Sequence, residues 1–303
     1  MDGALSSTFF TAPPGWHWLV ITYFFVGGLA GGCFFIAALL ELFGHGEDRP
    51  LARLGYLVAF PAVVVSGILL IADLKVPLRF WHMLIESNTW QPMFKPYSPM
   101  SVGSWALLVF GIFSFVAFLA ALRDVGYVPW PWVERFRPPG VVGTLVAALG
   151  GVLGFFIAGY TGVLLTVSNQ PIWADTSLLG LNFLISAAST SAALLILLTP
   201  RHRETLPGLQ ALERFDSIVL VLELLAIIGL VVSLGSVARA WLNAWGAVLV
   251  VGVVIIGIIV PLVLQVSSGW RGRVGPAVAA VLVLVGGFLL RVVVVLSAQG
   301  VHA

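Results

Sequence analysis

The sequence has a single cysteine, Cys33, and it lies inside an apolar run. That excludes an intrachain disulfide framework, and also an iron–sulfur cluster held by this protein alone, which needs about four ligands. Charge is scarce as well. Asp, Glu, Lys and Arg make up 9% of the 303 residues, against about 25% in an ordinary soluble domain. With 60% of its residues hydrophobic, the chain has the lipid bilayer as its solvent and no nucleic-acid partner is expected. Histidine is missing from the middle of every apolar run: His17, His45, His82, His202 and His302 fall at ends, in connections or in the tail. No facing pair is left to hold a b-type haem inside the membrane. The opening stretch MDGALSSTFFTAPPGWHW lacks a basic n-region, so the first apolar run reads as a retained span.

What the chain has in abundance is span-length apolar sequence. A crossing needs about 20 mostly apolar residues at about 1.5 Å rise each. Eight stretches qualify: roughly 18–43, 51–74, 102–122, 141–166, 179–199, 213–235, 244–266 and 275–298. They predict an all-α, multi-pass protein of the cell inner membrane, arranged as two four-helix bundles over residues 1–170 and 175–303. Clusters such as PWPWVERFRPPG and TPRHRETLPG mark the joints. Ten of the fifteen basic residues fall in odd-numbered connections (Arg49, Arg53, Arg123, Arg135, Arg137, Arg201, Arg203, Arg214, Arg271 and Arg273), while Lys75, Arg79, Lys95 and Arg239 lie on the opposite side. Positive charge marks the cytoplasmic side, so both termini are expected to be periplasmic. The first and fifth spans also echo each other: FFVGGLAGGCFFIAALL and FLISAASTSAALLILL each carry a cluster of small residues that lets backbones approach.

Ionisable groups inside spans are costly and therefore informative. Glu223 falls near the middle of the sixth span and Arg291 in the outer half of the eighth. They could form a structural ion pair or belong to a proton path. Helix direction brings a second group to one depth. Trp16, His17 and Tyr23 sit in the outer turns of the first span. Asp73, Lys75 and Arg79 stand where the second emerges, and Tyr160 and Asn169 where the fourth does. Phenol, imidazole and ammonium donors beside a titratable carboxylate suit a quinone head group, which exchanges protons together with electrons. The same residues also fit an interfacial aromatic belt and snorkelling cations.

In order along the sequence, WHWLVITYFFVGGLAGG, ADLKVPLRFWHML followed by SPMSVGSW, GYTGVLLTVSNQPIW and LLRVVVVLSAQ resemble the NrfD/PsrC family, membrane subunits of polysulfide, nitrite and related reductase complexes. The resemblance spans nearly the whole chain. It implies an eight-helix, haem-free subunit that exchanges electrons between menaquinone or ubiquinone and a ferredoxin-like subunit with [4Fe–4S] clusters. That partner would sit on the periplasmic side, joined to a molybdopterin catalytic subunit or a multihaem cytochrome. The implied quinone pocket falls on the outer turn of the first span, the Asp73 end of the second and Tyr160 in the fourth, with Glu223 and Arg291 matching positions of a proton route. Some members carry histidine where Tyr23 stands here. A phenol is a poorer proton acceptor at neutral pH than imidazole, which shifts that task toward Asp73 or His17. The alternatives are a secondary transporter, whose site would lie near the midplane on broken helices, and a passive anchor for extrinsic redox subunits.

Overall fold

A computed structural model describes residues 15–168, 170–200, 206–266 and 274–299. Among these, regular structure is helical, with no strand and one isolated bridge between Ile85 and Pro92. Eight long helices follow in order: α1 (Trp18–Phe43), α2 (Arg49–Asp73), α3 (Pro99–Val125), α4 (Val141–Thr166), α5 (Leu179–Leu198), α6 (Leu206–Leu234), α7 (Ala244–Gln265) and α8 (Val274–Gln299). All eight are long and apolar enough to cross a bilayer, as the sequence predicts.

Local chemistry sets the ends. Ser98 caps α3 by accepting from the Ser101 N–H, with Pro99 at the first helical position, where its missing donor costs nothing. The same helix stops at Gly126, whose φ of 90° is the left-handed conformation that closes helices. The largest departure from expectation is α6, which starts at Leu206 rather than near 213. Its polar first turns mask an amphipathic start: Leu209 and Leu212 pack into the same core as Leu51 and Ala52. Within α7, residues Val248–Ile259 are wound as a π-helix, and Gly257 lies directly against Gly286 of α8.

Helix α1 is the hub, packed against α2, α4 and α5. It runs antiparallel to α2 and α4 and parallel to α5, as paired positions show: Gly27 faces Ser66, Gly31 faces Gly154, and Gly28 and Gly32 face Ala187 and Ser191. The two small-residue clusters read from the sequence thus meet each other. A Cβ on Gly32 would fall 2.8 Å from the Ala187 carbonyl, so glycine is what permits this crossing. Ser191 Oγ donates to the Leu29 carbonyl across it at 3.4 Å. One apolar core joins the first turns of α1 to α5–α8, and a second joins its later turns to α2, α3 and α4. Where α1 ends, Arg137 ties Glu41 (3.1 Å) and Asp124, and Arg123 ties Glu134 (2.8 Å). The face where α1 begins is built differently, and it carries the candidate site.

Candidate functional site

Helix α2 stops at Asp73 because Pro77 has no N–H to donate to the Asp73 carbonyl four residues back and its ring would clash with it, and Leu74 is already extended (φ −70°, ψ 134°). The backbone then turns into a short 3-10 helix, Pro77–Met83. Asp73 is left as the last helical residue, exposed at the rim. From α4, Tyr160 reaches across to α3, where its hydroxyl donates to the Pro99 carbonyl at 2.5 Å. The phenol ring lies against Gly103; any side chain there would overlap it. Helix α1 contributes Trp16, just ahead of its start, and Tyr23, about 10 Å further along the axis.

These residues border a cavity of about 540 Å³ between α1, α2, α3 and α4. Trp16, Tyr23, Asp73 and Tyr160 all line it, while most of its wall is apolar, including Phe60, Leu70, Leu107 and Ile112. The remaining candidates lie elsewhere. His17 is the exposed residue preceding α1, and its side chain makes no capping bond. Lys75 and Arg79 are exposed on the connection beyond Asp73 and do not reach the wall. Asn169 lies outside the described residues. The arrangement offers an indole, two phenols (that of Tyr160 already donating to Pro99 and free to accept) and a carboxylate on the wall of an otherwise apolar chamber. That set can orient a carbonyl or hydroxyl head group and exchange protons with it.

One wall residue depends on a partner that the sequence did not reveal. Trp16 stacks on Trp173 at 5.4 Å, and Trp173 is fully buried and donates its indole N–H to the Val294 carbonyl of α8 at 2.7 Å. Gln299, at the end of α8, donates to the Trp16 carbonyl at 2.6 Å. Trp173 is held by an unusual backbone: Ile172, β-branched, sits at φ 70°, with its N–H donated to Asp175 Oδ2 at 3.0 Å. The only signal in the sequence was the QPIW segment itself.

A second polar cluster is buried among α5, α6 and α8. Glu223 is 3% exposed and Arg291 1%, yet they do not form a direct ion pair. Ser189 Oγ donates to Glu223 Oε2 at 2.7 Å, and Arg291 Nη1 donates to Ser186 Oγ at 2.5 Å and to the Gly287 carbonyl at 2.7 Å. The two α5 serines, one turn apart, stand between the charges. The guanidinium also lies over the Phe183 ring at 5.1 Å. Lower on α6, Asp216 is fully buried, accepting from Gln265 Nε2 at 2.7 Å while its Oδ1 has no partner among the described residues. Asp216 escapes a reading of the sequence, because in ERFDS it looks like the polar flank of a span that in fact starts earlier.

Comparison with known proteins agrees with this architecture. The family model described as "Polysulphide reductase, NrfD" matches residues 7–303. The protein is 29% identical to the C component of polysulfide reductase from Wolinella succinogenes, over 94% of both sequences. It is 26% identical to protein NrfD of Escherichia coli, over 94% of this sequence and 95% of that one. The C component of selenate reductase from Mesobacillus selenatarsenatis is 23% identical over 34% of this sequence and 22% of its own. Eight apolar helices and a family match over nearly the whole length lead to one conclusion: this multi-pass membrane protein belongs to the polysulphide reductase NrfD family.

Proposed function

We propose that the protein is the quinone-reacting membrane subunit of an oxidoreductase complex, exchanging electrons between the membrane quinone pool and an iron–sulfur partner subunit. The observation that carries this reading is the cavity of about 540 Å³ in which Trp16, Tyr23, Asp73 and Tyr160 share an otherwise apolar wall. The relatives support it, since two of them are named as components of polysulfide reductase and of selenate reductase. The substrate is menaquinol or ubiquinol, held with its oxygens toward the phenols of Tyr23 and Tyr160. Oxidation of the quinol releases two protons and two electrons: Asp73, exposed at the rim, takes the protons in turn and passes them to solvent, and both electrons leave for the partner. That partner is a ferredoxin-like [4Fe–4S] subunit, held over the exposed Lys75 and Arg79 on the periplasmic side and joined to a catalytic subunit. Glu223 and Arg291, linked through Ser186 and Ser189, belong to a proton route whose lower end is Asp216. A transporter fits less well, because the cavity's polar groups gather at one face rather than near the midplane.

The test uses the assembled complex. Asp73→Asn and Tyr160→Phe are each expected to slow quinol oxidation, the first by about 100-fold, the lower range for a lost acid–base group. Tyr160→Phe also removes one hydrogen bond, worth about 1 kcal/mol of stability. Normal turnover in both variants would remove the cavity from the reaction.

A further inference from the structure

Glycine inside a helix costs about 1 kcal/mol relative to alanine, and most helical glycines here have a visible packing reason. A Cβ on Gly31, Gly32, Gly103 or Gly162 would run into a neighbouring helix. Gly67 is different: within the long helices it is the one glycine of those described whose added Cβ meets no atom within 4 Å. Gly111 meets only Val63 Cγ1, at an ordinary 3.5 Å. Both line the cavity, Gly67 on the α2 wall and Gly111 on the α3 wall. Protein packing does not explain Gly67, which looks onto empty space, and gives Gly111 only one ordinary contact. An occupant of that space explains both.

The shape of the space identifies the occupant. Phe60, Val63, Gly67, Leu70 and Ile71 form one helical stripe of α2 along the cavity, about 17 Å long. Leu107, Leu108, Gly111, Ile112 and Phe115 form the facing stripe of α3. Its lining is partly open at the surface: Ile112, on the α3 wall, is 56% exposed. The cavity is therefore a slot that begins at Asp73 and Tyr160, runs down between α2 and α3, and opens sideways into the bilayer.

We propose that Gly67 and Gly111 set the width of this slot and so decide how tightly the polyisoprenoid tail of the quinone is held. The proposal rests on the quinone reading of the polar end and extends it to the tail. A branched isoprenoid tail is wider than a polymethylene one and needs relief on both walls, which the two glycines provide. A phospholipid is a poorer occupant: it would bring its phosphate to Asp73, while the nearby cations Lys75 and Arg79 stand outside the wall. Side chains at Gly67 and Gly111 therefore decide how well a long-tailed substrate binds and leave a tail-less head group indifferent.

The experiment compares two probes on the assembled complex in proteoliposomes: a long-tailed menaquinol and menadiol, the same ring without a tail. Gly67→Phe is expected to raise the KM for the long-tailed quinol by about tenfold, equivalent to about 1.4 kcal/mol, with menadiol oxidation unchanged. Gly67→Leu and Gly111→Leu should show the same selectivity more weakly; they raise helix propensity and remain informative if the phenylalanine variant assembles poorly. Equal kinetics for both probes in every variant would mean that the slot holds ordinary lipid, and the proposal fails. A parallel loss of both probes with an unchanged unfolding temperature overturns it too. Failure of the quinone reading is separate: there, Tyr160→Phe and Asp73→Asn would leave menadiol oxidation untouched, whatever Gly67 does.

Discussion

Polar groups are treated in opposite ways in the two halves of the protein. Around α1–α4, Tyr23, Asp73 and Tyr160 stand beside open volume, and Asp73 is exposed at the rim. Among α5, α6 and α8, Glu223 and Arg291 are almost wholly buried, and Ser186, Ser189, Gly287 and Phe183 supply hydrogen bonds. A buried charge survives in an apolar setting only when partners are present, and in this second cluster the protein supplies most of them, although Arg291 Nε has none among the described residues. The first is unfinished, with room left for a molecule from outside. The contrast separates a place for a ligand from a place for fixed or migrating charge, even though both contain acids and donors within a membrane protein.

That contrast can be tested by unfolding the purified protein in detergent. The largest effect is expected in the buried cluster. Arg291→Met removes the donors to Ser186, Gly287 and Phe183 and leaves Glu223 without its nearby positive charge. A loss of about 3–5 kcal/mol is expected, the range for a buried charge left without compensation. An unchanged unfolding midpoint would show that the cluster is as open as the cavity. Next comes the seam between the halves, where Gly32→Val places methyl groups against Ser191 and the Ala187 carbonyl. Overpacking there should cost about 1–3 kcal/mol; no effect would mean that α1 and α5 are freer to separate than their contact implies. The smallest effect belongs to the exposed rim. Lys75→Ala combined with Arg79→Ala should shift stability by less than about 0.5 kcal/mol. A larger shift would put these side chains in the packed wall rather than on the surface.

Legibility in the sequence followed the same division. The eight helices could be read because apolar runs of span length have few other fates, and every expected span but the sixth matches its helix to within a few residues at both ends. The start of α6 was not legible, since Glu213, Arg214 and Asp216 mimic a headgroup flank while Leu209 and Leu212 are buried. Tyr23, Asp73 and Tyr160 could be picked out because each lies at a countable depth from a span end. Trp173 could not be joined to Trp16, nor the α5 serines placed between Glu223 and Arg291, because those contacts depend on how α5 and α8 pack against α1 and α6.

Composition and periodicity alone settled that this is a helical membrane protein, how many times it can cross, and which residues share a depth. These properties follow from transfer free energy and helix rise, and both are local. Only the tertiary structure decided which groups at one depth share a cavity. It also decided that His17, Lys75 and Arg79 stand outside it, and that Gly67 faces a void rather than a neighbour. Those outcomes depend on the rotation of each helix about its axis, which side chains from distant parts of the sequence determine together.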